Sequence, residues 1–136
     1  MNRRTIQIGV AMVFSVLAVT QGLAQKERRT QPFMRQKLVY AQAILEGITL
    51  EKFDLVVTNA TRLRDMSQTN AFLILRNPEY LRCITNFQTN VDALMAAAKN
   101  EQGDRAFEAY VKMSESCIAC HRYFRREQFR RFETAK

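Results

Sequence analysis

A single histidine, His121, serves all 136 residues of this chain. Any site that needs two imidazoles from one chain is therefore excluded, including bis-histidine ligation of a metal. Breakers are scarce too: there are two prolines and four glycines, and Gly9 and Gly22 fall within the first 24 residues. That leaves Pro32, Gly47, Pro78 and Gly103 to punctuate the rest, a pattern suited to long helices joined by short turns. No Val/Ile-rich run reads as a buried parallel strand, which removes the βαβ setting of thiol–disulfide oxidoreductases. The acidic residues show no paired catalytic pattern, so no substrate-converting constellation can be assembled and a non-enzymatic role is expected. Internal repeats and low-complexity stretches are missing as well.

The N-terminal segment reads as an export signal. Arg3 and Arg4 form a charged start, and residues 6–20 are apolar apart from Gln7 and Ser15 before the run closes at Thr20. Gly22-Leu23-Ala24 supplies the small-x-small pattern of a signal peptidase site. Cleavage is expected after Ala24, with 1–24 as signal peptide and 25–136 as one domain. An apolar run of about fifteen residues falls short of the roughly twenty that cross a bilayer, so no stable membrane anchor is expected. The expected compartment is the bacterial periplasm. The mature chain of 112 residues is long enough for a single core.

Near the C-terminus stands Cys117-Ile118-Ala119-Cys120-His121. The C-x-x-C-H run is the attachment signature of a c-type haem. Two cysteines three apart on a helix can each form a thioether with a haem vinyl group, and the next residue then offers its imidazole to the iron. A thiol redox pair is a weaker reading. A zinc site built on the two motif cysteines would need two further soft or imidazole ligands, and outside the motif only Cys83 remains. Cys83 itself suits either an intermolecular disulfide or a buried inert thiol.

Four helices follow from periodicity and caps. The first starts at Pro32, whose missing N–H costs nothing there. Its apolar stripe is Met34, Leu38, Ala41, Leu45 and Ile48, and Gly47 and Thr49 close it. The second starts near Leu50 with Thr49 as N-cap, runs through Phe53, Val56, Val57, Ala60 and Leu63, and ends near Ser67. Asn77-Pro78-Glu79 opens the third with a cap, an N1 proline and an acid favoured by the helix dipole. Its stripe is Leu81, Ile84, Phe87, Val91, Leu94, Met95 and Ala98. Asp104 is the expected cap of the fourth, which presents Phe107, Val111, Ser114, Cys117, His121 and Phe124. Residues 70–76 read as a crossing connection over one side of the core. The expected fold is an all-α antiparallel four-helix bundle.

Taken together, the export signal, the short helical chain and the late Cys117-Ile118-Ala119-Cys120-His121 motif resemble the class II c-type cytochromes, the cytochrome c′ family. The resemblance spans essentially the whole mature chain, is specific at the C-terminal motif, and rests on pattern alone in the N-terminal half. It implies one covalent haem c, with Cys117 and Cys120 as thioether ligands, His121 as proximal iron ligand, and the first helix lining the opposite face. One branch of the family places methionine there and carries electrons. In this chain Met34 takes that place, and Met/His ligation raises the potential toward that of a carrier. Another branch leaves the iron five-coordinate and binds nitric oxide or carbon monoxide. Arg35-Gln36-Lys37-Leu38-Val39 can be set against that branch's arginine–glutamine–x–leucine pattern, which puts Leu38 or Val39 over the iron. Arg122-Tyr123-Phe124-Arg125 is similar to the family's aromatic-then-basic continuation. Arg125, one turn past His121, is the candidate partner of a haem propionate, and Phe124 is the candidate packing residue at the haem edge. The family's antiparallel dimers, formed through the first two helices, imply a homodimer.

Charge fits that reading. Without Arg3 and Arg4 the net charge falls from +8 to +6, and much of the excess lies in Arg122, Arg125, Arg126, Arg130, Arg131 and Lys136. An exported protein is not expected to meet nucleic acid. Steering toward a redox partner with an acidic surface is one reading of the basic end, and an ordinary solvated helix face is the other.

Overall fold

The computed structural model describes residues 32–69, 75 and 77–134. The expected signal segment, 1–24, and most of the connection at 70–76 lie outside these residues; within that connection Leu75 is buried. Two compact units divide the chain, Met1–Gln36 and Lys37–Lys136. Of the first, only residues 32–36 are described. They form the opening turn of a helix, with Pro32 exposed at its start and Phe33 and Met34 half-buried.

Four helices and no strand make up the described residues, as an all-α four-helix bundle: α1 (32–49), α2 (Phe53–Met66), α3 (Pro78–Lys99) and α4 (Gly103–Thr134). Two of their connections are built alike. At the end of α1 the Lys52 N–H donates to the Gly47 carbonyl at 2.8 Å and the Glu51 N–H to that of Ile48 at 3.2 Å. At the end of α3 the Gln102 N–H donates to Ala97 and the Glu101 N–H to Ala98, both at 3.0 Å. Both are Schellman closures, which satisfy carbonyls that a helix end leaves orphaned. Each requires a left-handed residue where glycine is usual, and here Glu51 and Glu101 fill the position at φ 54.

The helix starts correct two expectations. Thr49 does not cap α2; its hydroxyl donates back to the Leu45 carbonyl at 2.8 Å within α1, and Lys52 is the N-cap residue of α2, without a side-chain cap bond. Asp104 lies inside the first turn of α4, which begins at Gly103. The cap of α3 is as expected: Asn77 Oδ1 accepts from the Tyr80 N–H at 2.9 Å.

The core is a cluster of Ile44 from α1, Val56, Ala60 and Leu63 from α2, Phe87, Val91, Leu94, Ala97 and Ala98 from α3, and Ala106, Ala109 and Met113 from α4. α3 packs against both α2 and α4. Between α2 and α3, Gln88 Nε2 donates to the buried Ser67 hydroxyl at 2.9 Å and Arg64 pairs with Asp92 at 2.7 Å. α1 meets α2 closely at Gly47, where an added Cβ would stand 2.8 Å from Val56 Cγ2.

The stripes of α2 and α3 match expectation apart from an exposed Leu81 and a half-buried Met95, Val57 and Phe53. Those of α1 and α4 match in part: Ala41, Ile48 and Cys117 pack against the core, but the larger members turn outward. Leu38 and Leu45 are 57% and 40% exposed, and Phe107 and Val111 50% and 40%. In α1 the inward positions are Lys37, Ala41, Ile44 and Gly47; in α4 they are Ala106, Ala109 and Met113. Small residues on the inner faces let the helices approach closely, and that close packing turns the larger side chains outward.

Candidate functional site

The motif lies in the second half of α4. Cys117 and Cys120, three residues apart and so neighbours on one helix face, are both half-buried free thiols. Ile118 between them is exposed, as is His121. α1 brings Lys37 to this face, within electrostatic reach of Cys117, Cys120 and His121. The Lys37 ammonium also stands over the Phe87 ring, 4.2 Å from its centroid. α3 contributes Tyr80 and Cys83, both close enough to act on Cys120. Hydrogen bonds hold α3 and α4 together around the site: Tyr123 Oη donates to Asn77 Oδ1 at 3.0 Å, and Asn90 Nδ2 donates to Ser116 Oγ at 2.8 Å and to the Lys112 carbonyl at 3.2 Å.

These surroundings set the protonation of every donor. Burial pushes the Cys120 thiol up to about 11, and the neighbouring Cys83 adds to it against the opposing pull of Lys37. Burial raises Cys117 as well, again opposed by Lys37. Tyr80 is held up at about 12 by its burial and by the two nearby thiols. Both motif cysteines are therefore neutral thiols near pH 7. A catalytic Cys117–Cys120 exchange pair would gain from the reverse, a depressed pKa that supplies thiolate. His121 is shifted the other way. Partial burial of the ring lowers it, and Lys37 and Arg125 lower it further, so near neutral pH the imidazole is uncharged, as a metal ligand must be.

The site thus unites Cys117, Cys120, His121 and Arg125, with Phe124 half-buried on the same stretch of α4. Met34 belongs to the first unit, in the opening turn of α1. Sequence reasoning passed over Lys37, Tyr80 and Phe87 as site residues and left the place of Cys83 open. A basic residue on the inward phase of α1 was the available signal for Lys37. Among the described residues no group of three or more His, Cys, Asp or Glu side chains is arranged to hold a metal ion on its own.

The donor chemistry fits a covalently attached haem. Two thiols at helical i,i+3 spacing could meet two vinyl groups, the adjacent imidazole is of the kind that ligates haem iron, and Lys37 and Arg125 near His121 would face the two carboxylates of such a group. Apolar surface is exposed nearby, at Ile118 on α4 and at Leu38 and Val39 just past Lys37 on α1. No protein family, curated protein or solved structure matches this chain.

Proposed function

We propose that the chain belongs to the c-type cytochromes, proteins whose haem is held by cysteine thioethers. Within that class it is a periplasmic single-haem electron carrier of the cytochrome c′ kind. The supporting observation is the placement of one turn of α4: Cys117 and Cys120 are half-buried free thiols on one helix face beside an exposed His121, with Lys37 and Arg125 within electrostatic reach of that imidazole. That arrangement suits covalent attachment with imidazole ligation.

Each residue has a role in this reading. Cys117 and Cys120 would tether the haem, and His121 and Met34 would ligate its iron. Arg125 and Lys37 would neutralise its carboxylates, and Phe124 would pack against it. The bound haem supplies a one-electron couple at its iron, and the protein sets the potential through ligation and burial. Arg122, Arg125, Arg126, Arg130 and Arg131 are all exposed along the end of α4. This basic surface steers an acidic redox partner and makes association weaken as salt rises. The homodimer and the export to the periplasm belong to the same proposal. No helix among the described residues is long and apolar enough to cross a membrane.

The second reading, a five-coordinate protein that binds nitric oxide or carbon monoxide, draws on the exposed Leu38 and Val39 of α1. Absorption spectra of the haem-loaded protein, ferric and then ferrous with and without carbon monoxide, separate the two. A low-spin spectrum with a methionine–iron charge-transfer band, little changed by carbon monoxide and lost in Met34→Ala, is the expected result. A high-spin spectrum that shifts with carbon monoxide overturns Met34 ligation in favour of gas binding.

A further inference from the structure

Cys83 has no part in the haem reading, yet it sits in the same cluster. Hydrogen bonds across α3 and α4, from Tyr123 to Asn77 and from Asn90 to both Ser116 and the Lys112 carbonyl, bracket it. Cys83 lies midway between Asn77 and Asn90, and the Cys117–Cys120 turn lies between Ser116 and Tyr123, so Cys83 stands level with that turn across the helix contact. Of the two motif thiols, Cys120 is the one on which Cys83 acts electrostatically, and Cys83 and Cys120 are both half-buried and free.

We propose that Cys83 and Cys120 are a disulfide-forming pair, and that closing it in the haem-free chain withdraws Cys120 from cofactor attachment. The second half of the proposal rests on the haem reading; the first does not. Closure breaks two S–H bonds and forms one S–S bond. Two electrons and two protons pass to a disulfide-bearing oxidant, which leaves as two thiols, and a dithiol reductant reverses the step. Helix geometry favours this pair over Cys117 with Cys120, because a bridge inside the unbroken α4 would pull both side chains off their helical rotamers. The consequence is a redox gate: attachment proceeds only where a reductant keeps Cys120 free.

The test oxidises the haem-free mature chain with oxidised glutathione, caps the remaining thiols with N-ethylmaleimide and maps the peptides by mass spectrometry. The expected product links Cys83 to Cys120 and carries the cap on Cys117. A Cys117–Cys120 bridge, an even mixture of pairings, a stable glutathione adduct or a bridge between two chains overturns the pair. A second arm compares haem loading of the wild type and Cys83→Ser under the same oxidant. A several-fold higher loaded fraction in Cys83→Ser is expected, and equal loading overturns the gate. If neither chain takes up haem even when reduced, while Cys83 and Cys120 still pair, the haem reading and the gate both fall and the disulfide stands.

Discussion

Gly47→Ala tests whether α1 really lies against α2 as closely as described. In an ordinary helix the change would help, because alanine is favoured over glycine by about 1 kcal/mol. Here the new Cβ would stand 2.8 Å from Val56 Cγ2, 3.2 Å from the Lys52 carbonyl oxygen and 3.2 Å from the Val56 nitrogen. Two of those three atoms are backbone, and the third belongs to a β-branched side chain fixed at χ1, so none yields easily. Overpacking of this kind costs about 1–3 kcal/mol. With two backbone contacts the upper half of that range applies, and the net effect is a loss of about 1–2 kcal/mol. Urea unfolding followed by far-UV circular dichroism measures it. Val56→Ala in the Gly47→Ala background removes the 2.8 Å contact, so the two substitutions together should cost about 0.5–2 kcal/mol less than the sum of the single changes. A Gly47→Ala chain as stable as wild type, or more stable, refutes the close approach. It would also loosen the argument that α1 presents Lys37 to the motif.

Three further predictions concern other parts of the bundle. Glu51 and Glu101 are left-handed at φ 54, and relief of roughly 1–2 kcal/mol of strain against the entropy cost of glycine makes Glu51→Gly and Glu101→Gly each stabilising by about 0.5–1 kcal/mol in urea unfolding; destabilisation by either would refute the turn assignment. Asn77→Ala removes the cap of α3 and the acceptor for Tyr123, a loss of about 2 kcal/mol from the two bonds together, while Asn77→Asp keeps both acceptor roles and should stay near wild type. Stability of the haem-free chain should be highest near neutral pH. His121 is depressed below 6.5 in the folded chain, so the unfolded state binds more protons and stability is lost as pH falls through that depressed value; Cys120 is raised from 9.0 to about 11, so stability is lost again as pH rises across that window. Urea midpoints at acid, neutral and alkaline pH test both signs, and a flat profile would contradict them.

Much of the fold was legible because helix punctuation is local. Asn77-Pro78 states the start of α3 outright, and the stripes of α2 and α3 carry enough large apolar residues to set their phase. α1 and α4 misled because periodicity counts large apolar side chains, whereas the inner faces there hold Lys37, Gly47, Ala106 and Ala109. Leu38, Leu45, Phe107 and Val111 sit one step off the buried phase and read as core when they are not. The turns were missed for a similar reason: glutamate at a left-handed position carries no turn signal in the sequence. At the site, the motif cysteines and histidine were plain from their spacing. Lys37, Tyr80 and Cys83 were not, since each is an unremarkable residue until helix packing brings it beside Cys120.

Intact-mass analysis of the denatured protein, expressed with a c-type haem attachment system, decides whether haem is covalent at Cys117 and Cys120. A mass increase of one haem is expected that survives denaturation, maps to the peptide holding Cys117 and Cys120, and disappears in the Cys117→Ala, Cys120→Ala double variant. A wild-type protein that carries no added mass, or that loses its haem on denaturation, would contradict covalent attachment.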